Sequence, residues 1–325
     1  MNKVRFLAKA LVHGAIDWSG RPYRRRRQLC GKLIILTYHS FCTDWPRGLF
    51  SSLPVDRFER QIRFLRKNFK LVSLAQGLDH LQHGRVDDQP WLSITIDDGF
   101  RDNYTHAWPV LQRYAVPATI FLATDFIDTG RPPWPTQLVE ILESTHAQMI
   151  ESPFKAELNT LDARSKALRT LMAAWSWLVP ADRFETLAAL RRHLRVGETT
   201  RYPSLTWDQI HEMRLGGIRF GSHTVYHSIL SDVSDDTVAM EIKESRKRLE
   251  EKLQVPCLEF AYPNGNFDIR AKRLLAAEGF RLALTQVTGV NDMDTDALSL
   301  FRVEIPYHDP MPTFRARVSG GLWSS

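Results

Sequence analysis

The chain has 325 residues, 43% hydrophobic and 25% charged, a composition that excludes a disordered polymer and leaves room for one large α/β domain. Its net charge of +6 is uneven: residues 1–32 hold nine Lys or Arg against the single acid Asp17, so this arm is +8 and the body is −2. A body without basic excess excludes a nucleic-acid grip, and no apolar run approaches the roughly 18 residues of a membrane-spanning helix.

The first predicted element is an amphipathic helix in the arm. Val4, Leu7, Ala8, Leu11 and Ala15 share one face, with Lys3, Arg5, Lys9 and His13 outside it and Arg24–Arg27 following. Two readings stand side by side: a helix packed on the body, or peripheral contact of residues 1–30 with anionic membrane. Lys9, His13 and Asp17 interrupt the apolar residues, so the segment does not read as a secretory signal. Cys30, Cys42 and Cys257 show no metal-finger spacing, and their odd number fits a reducing compartment. The expected location is cytoplasmic, with the inner membrane face as the variant that uses the arm.

Beyond the arm, apolar runs alternate with helical periodicity. Leu33–Tyr38 reads as a strand and Val55–Phe69 as a helix, with Phe58, Ile62 and Leu65 at i, i+4 and i+7. Trp91–Ile96 is a strand, Asn103–Tyr114 a helix and Ala118–Ala123 a strand. From Pro132 to Tyr202 the strand signal disappears, and Leu138–Leu142, Ala163–Leu178 and Arg183–Leu194 look helical. Strands at Ile218–Gly221, Leu258–Tyr262 and Leu282–Thr285 alternate with helices at Asp235–Leu253, N-capped by Ser234, and Ile269–Glu278, stopped by Gly279. Repeated β-then-α units imply a parallel sheet or barrel. The expected organisation is an arm at 1–32 and one domain at 33–325 with a helical insertion at about 132–202.

Three constellations carry chemistry. A strand ends in Asp97-Asp98-Gly99; alone this is a turn, since Asp-Gly is a common turn pair, but two adjacent carboxylates also suit a cation or a shared proton. Another strand runs into His223-Thr224-Val225-Tyr226-His227; alone these are two unrelated histidines, but on a helical backbone their spacing puts both imidazoles on one face. Taken together they change meaning. Both follow short strands of a β/α pattern, whose C-terminal ends share one face. One Asp and two His make three protein ligands with a position left for water, and the second Asp stands beside them as a base. The third constellation, Ala261-Tyr262-Pro263-Asn264-Gly265, is either a plain strand-to-loop turn or a place where the Tyr262 N–H faces a developing oxyanion.

In this order Ile96-Asp97-Asp98-Gly99, the His223–His227 motif and Ala261–Gly265 resemble the polysaccharide deacetylases of carbohydrate esterase family 4, also called the NodB-homology domain. Ile35-Leu36-Thr37-Tyr38-His39 resembles the first strand of its circularly permuted branch, and the likeness runs from about Leu33 to Ile305. The resemblance implies a distorted (β/α) barrel of about seven strands. It implies Asp97 as general base, Asp98, His223 and His227 as metal ligands, His39 as general acid, and Zn2+ as the usual metal, with Co2+ or Ni2+ as variants. Two departures stand out. Ala261 occupies the place of an arginine that orients the base, and Asn264 that of an aromatic. Arg302 is the candidate replacement, its plain alternative being a surface ion pair on an edge strand. His308 is a second candidate acid, and Thr285, Gly289 and Asn291 resemble a site-lining loop. The implied activity is removal of an N-acyl group, acetyl foremost, from a polysaccharide or lipid-linked glycan. Deformylation of a lipid-linked formamido sugar and a catalytically silent carbohydrate-binding protein of this fold are the alternatives.

Overall fold

The computed structural model describes residues 26–45, 48–84, 87–151, 155–198 and 201–323. Residues 1–25 of the basic arm, with the predicted amphipathic helix, lie outside them. In chain order the strands are β1 (Leu33–Tyr38), β2 (Phe41–Cys42), β3 (Leu53–Pro54), β4 (Lys70–Leu71), β5 (Trp91–Ile96), β6 (Ala118–Leu122), β7 (Met149–Ile150), β8 (Ala156–Glu157), β9 (Arg219–Ser222), β10 (Glu259–Ala261), β11 (Leu282–Thr288) and β12 (Leu300–Glu304). The helices are α1 (Val55–Asn68), α2 (Leu74–Gln82), α3 (Trp108–Arg113), α4 (Thr124–Thr129), α5 (Trp134–Ser144), α6 (Leu161–Trp175), α7 (Pro180–His193), α8 (Trp207–Leu215), α9 (Asp235–Leu253), α10 (Ile269–Ala277) and α11 (Met311–Val318).

Seven strands close a barrel in which every pairing is parallel. The order β1-β12-β11-β10-β9-β6-β5 returns on itself because β1 also pairs with β5, from Leu33 opposite Trp91 to Tyr38 opposite Ile96. All residues of β1, β5 and β6 are buried, Thr37, Ser93, Thr95 and Thr119 included, as mostly apolar runs specify for strands covered on both faces. With all strands parallel, their C-terminal ends open on one face, where β/α loops can converge. This is the distorted (β/α) barrel expected from the sequence.

Between β6 and β9, helices α5, α6 and α7 build a separate apolar cluster around Trp134, Leu138, Ile141, Leu171, Trp175 and Leu187. The larger cluster lies between barrel and outer helices and includes Phe58, Ile62, Leu65, Ile94, Ile120, Ile242 and Phe260. Ser234 caps α9 as predicted, its hydroxyl accepting from the Thr237 N–H. The single helix predicted over Asn103–Tyr114 is instead a π-helical turn at Asn103–Ala107 running into α3. Pro109 accounts for this: it has no N–H to donate to Thr105, and Trp108 reaches back to the Asn103 carbonyl. Among the described residues, no helix is long and apolar enough to cross a membrane.

Candidate active site

Asp97 and Asp98 leave the end of β5 in a sharp turn. The Asp97 N–H still donates to the Tyr38 carbonyl at 2.9 Å, continuing the ladder, and then Asp98 and Gly99 both take positive φ, 77° and 91°. Gly99 is required there: a Cβ would stand 2.8 Å from Leu122 and 2.9 Å from Ile127. The reversal sends the two carboxylates different ways.

Asp97 points at Arg302. Arg302 Nη1 donates to Asp97 Oδ1 at 2.9 Å, Nη2 lies 2.8 Å from Oδ2, and Nε donates to the Thr285 carbonyl at 2.7 Å. Both residues are buried. Burial opposes ionisation of Asp97, but the Arg302 guanidinium, with His223 and His39, outweighs it and holds the carboxyl below its ordinary value. Arg302 therefore has no surface role: β12 lies inside the ring, between β1 and β11. His39 follows β1 with its Nε2 4.0 Å from Asp97 Oδ2 and its side chain 37% exposed to the cleft.

Asp98 faces the two imidazoles. Its Oδ1 lies 3.3 Å from His227 Nε2 and 3.6 Å from His223 Nε2. The backbone that brings the histidines together is not helical. Residues 223–228 form a loop in which Thr224 and His227 have φ of 67° and 55°. The expectation that i, i+4 spacing on a helix would align them is thus corrected, though the convergence itself is there. His223 Nδ1 lies 2.7 Å from the Ala261 carbonyl, to which only a protonated Nδ1 can donate, so Nε2 is left as an acceptor. Burial foremost pushes the His223 pKa down to about 4. Asp98 is held below its ordinary value, the pull of His227, His39 and His223 exceeding the effect of burial.

This donor set fits a divalent cation. One carboxylate oxygen and two imidazole nitrogens lie within 4.8 Å of one another. Asp98 Oδ1 is buried without a hydrogen bond, a position that is unfavourable unless a cation completes it. The three ligands are the number a catalytic metal site uses.

The site opens into a cleft of about 440 Å³, within the range of small-molecule sites. His39, Asp97, Asp98, His223 and His227 line its floor. Trp134, Pro135, Met172, Ala173 and Ser176, from α5 and the end of α6, form one wall; Asn264, Asn266, Gln286 and Glu304 form another. Of these wall residues only Asn264 was singled out in the sequence, as the position of the family's aromatic; Asn264-Gly265-Asn266 is a polar turn directly after a strand, where barrel enzymes place such groups.

Tyr262 does not join the site as expected. Its N–H donates to the Leu284 carbonyl at 3.0 Å as part of the β10–β11 ladder, and its hydroxyl donates to the Leu298 carbonyl at 2.9 Å. A donor already used in the ladder cannot face an oxyanion. Thr285 and Asn291 are likewise occupied, bonding Leu300, Leu33 and Phe301 where strands meet, and neither they, Gly289 nor His308 line the cleft.

The sequence profile of the polysaccharide deacetylase family matches residues 84–177 and 179–283. The YxkH protein of Bacillus subtilis is 21% identical over 275 residues, covering 84% of this chain and 71% of that protein. The poly-β-1,6-N-acetyl-D-glucosamine N-deacetylase of Escherichia coli is 26% identical over 97 residues, 30% of this chain but only 14% of that protein. In fold, the deacetylase PplD of Streptococcus pyogenes superposes with a TM-score of 0.62 at 19% identity, covering 89% of this chain and 99% of that one. The profile match spans both loops that converge on Asp98, while His39 and Arg302 come from the strands outside it that close the ring. On that match the chain belongs to the polysaccharide deacetylases, hydrolases of carbon–nitrogen bonds other than peptide bonds.

Proposed function

We propose that the chain hydrolyses the N-acetyl group of an amino sugar within a glycan, using a divalent cation held by Asp98, His223 and His227. The observation that carries this is Asp98 Oδ1, buried without a hydrogen bond and turned toward two imidazole nitrogens. The substrate class follows the relatives: the E. coli protein is named for a polymer of N-acetyl-D-glucosamine, and the PplD structure holds acetate. Zinc is the metal this donor set suits first, with cobalt or nickel as substitutes.

A cation held there supplies Lewis acidity toward water and the acyl carbonyl. The protein's own groups do the rest. Asp97 takes a proton from the attacking water; the residue lines the cleft, and its Oδ2, 2.8 Å from Arg302 Nη2, lies 4.0 Å from His39 Nε2. Arg302 fixes that carboxylate from behind and keeps it ionised. His39, partly exposed to the cleft with its Nε2 4.0 Å from Asp97 Oδ2, donates a proton to the departing nitrogen. The water oxygen joins the acyl carbon, the C–N bond breaks, and a free amino sugar and acetate leave.

The test combines metal analysis of the purified chain with amine release from N-acetyl-glucosamine oligomers, an N-formyl analogue and a lipid-linked acetamido sugar. Metal at about one per chain and release from an acetylated oligomer are expected. Release only from the formyl or lipid-linked member reassigns the substrate, and no metal and no release from any member refutes the reading. Asp97→Asn should keep the metal and lose turnover.

A further inference from the structure

The two imidazoles of the site are held in different ways. His223 is fixed through its ring, by the Ala261 carbonyl, and through its backbone N–H, which donates to the Leu122 carbonyl at 2.9 Å. His227 has no such ring partner: among the described residues its Nδ1 is buried without a hydrogen bond. It also sits at φ 55°, three residues after Thr224 at φ 67°. Left-handed backbone is uncommon for non-glycine residues and unusual for a β-branched one, and it persists only where surroundings over-determine it.

The first half of the loop is held by α9 and the start of α4, and Glu241 of α9 also reaches the Ser228 hydroxyl. Glu241 of α9 accepts from the Val225 and Tyr226 N–H groups at 2.7 and 2.9 Å, and the Thr124 and Asp125 N–H groups donate to the Thr224 and Val225 carbonyls. The second half is held by the helices between β6 and β9. Trp134 Nε1 donates to the His227 carbonyl at 3.1 Å. Arg183, 1% exposed, lies with its guanidinium 4.9 Å from the Trp134 ring centroid and donates to Ser228 Oγ at 3.4 Å. Its other nitrogens donate to the carbonyls of Trp175, Ser176 and Leu178 at the end of α6, the segment that also walls the cleft.

From this we infer that Trp134 and Arg183 are positioning residues for His227, so that the helices between β6 and β9 set the affinity and geometry of the metal site as well as walling the cleft. The inference rests on the proposed metal reading. A buried guanidinium that caps a helix end, stacks on an indole and reaches the residue after a ligand transmits the packing of those helices to one coordination position. Outer groups of this kind shift metal affinity by about 10–100-fold in other sites.

The experiment uses the full chain, stripped by chelator and titrated with Zn2+ in competition with a chromophoric chelator, and with Co2+ for its visible spectrum. Trp134→Phe keeps the ring and removes only the N–H; Arg183→Met removes the fork. Trp177→Ala, in the turn between α6 and α7 and 66% exposed, is the control. Weaker Zn2+ binding by about 10-fold or more and an altered Co2+ spectrum in Trp134→Phe, with Trp177→Ala unchanged and the metal-free unfolding temperature of Trp134→Phe close to the parent's, support the inference. Parent-like affinity and spectrum in folded Trp134→Phe overturn it, whether or not Arg183→Met folds. A parent chain that takes up no metal sinks the proposed function instead, and the two failures are told apart by that first titration.

Discussion

Replacing Arg302 by Met should be the most damaging single change near the site that leaves every metal ligand in place. Asp97 and Arg302 are both buried and meet through a 2.9 Å hydrogen bond and a second 2.8 Å contact. Removing one member of a buried pair leaves the other charge without compensation, a loss of about 3–5 kcal/mol. The Thr285 carbonyl loses its 2.7 Å donor as well, so the upper part of that range applies. Against a total stability of about 5–15 kcal/mol this is large, and a fall in Tm on the order of 10 °C follows. The assay is urea unfolding of the metal-free chain for the parent, Arg302→Met, Asp97→Asn and the double variant. Asp97→Asn removes the charge that Arg302 serves, so the second substitution should add much less than it does alone, a coupling of about 2 kcal/mol or more. Turnover should fall about 100-fold in Arg302→Met, since a base displaced by an ångström loses that much. Arg302→Lys should recover stability better than rate, because an ammonium keeps the charge and loses the planar fork. Additive effects in the cycle, or Arg302→Met within about 0.5 kcal/mol of the parent, would refute the assigned pairing.

His39→Gln should keep metal content and lower kcat by about 100- to 10,000-fold; a drop of less than a few-fold removes His39 from the proton path. Asp102 lies beneath the site, accepting from Ser40 Oγ and Asn103 Nδ2, and burial foremost pushes its pKa up to about 7. Its unfolded value is about 3.9, so between the two the folded chain holds a proton that the unfolded chain has released, and stability falls as pH rises through that window. Asp102→Asn should flatten this slope, gaining at most about 4 kcal/mol on the parent from pH 4 to pH 8; an equal difference at both pH values in urea melts of the metal-free chain would count against it. Gly221→Ala places a Cβ 2.6 Å from the Phe121 ring and 2.7 Å from the Glu259 carbonyl, two residues before His223. It should lower stability by about 1–3 kcal/mol and weaken metal uptake, both read by thermal melts with and without Zn2+.

The barrel was legible where burial is uniform. Leu33–Tyr38 and Trp91–Ile96 are mostly apolar runs broken only by Thr37, Ser93 and Thr95, and both are strands to the residue. What escaped were elements whose signal lies at their ends. Helix α2 repeats Leu74, Leu78 and Leu81 over only nine residues and α8 carries little apolar periodicity, yet each opens with a capping box, Ser73 with Gln76 and Thr206 with Gln209. Strand β12 was anticipated only as an edge strand, because the charged residue at its centre, Arg302, reads as exposed until its partner is known. Tyr262 shows the opposite error: a residue next to a turn looks free to donate, but the ladder continues one step further and uses its N–H.

Residue types picked out the three side chains that converge, Asp98, His223 and His227, while the geometry that brings them together came from elsewhere in the chain. His223 and His227 have helical spacing, and their imidazoles do converge, but through two left-handed residues in a loop, neither of them glycine. Nothing within those five residues favours that conformation; Thr224 opposes it. The compensation comes from Glu241, from Trp134 93 positions away and from Arg183 45 positions from Ser228. Asp97, the proposed base, is fixed in the same manner, by an arginine 205 positions away. Ligand identity is thus a local property of the sequence, whereas ligand orientation depends on long-range pairing. The family's motifs can therefore persist with alanine at position 261, because a guanidinium can reach Asp97 from another strand, and β12 supplies one in Arg302.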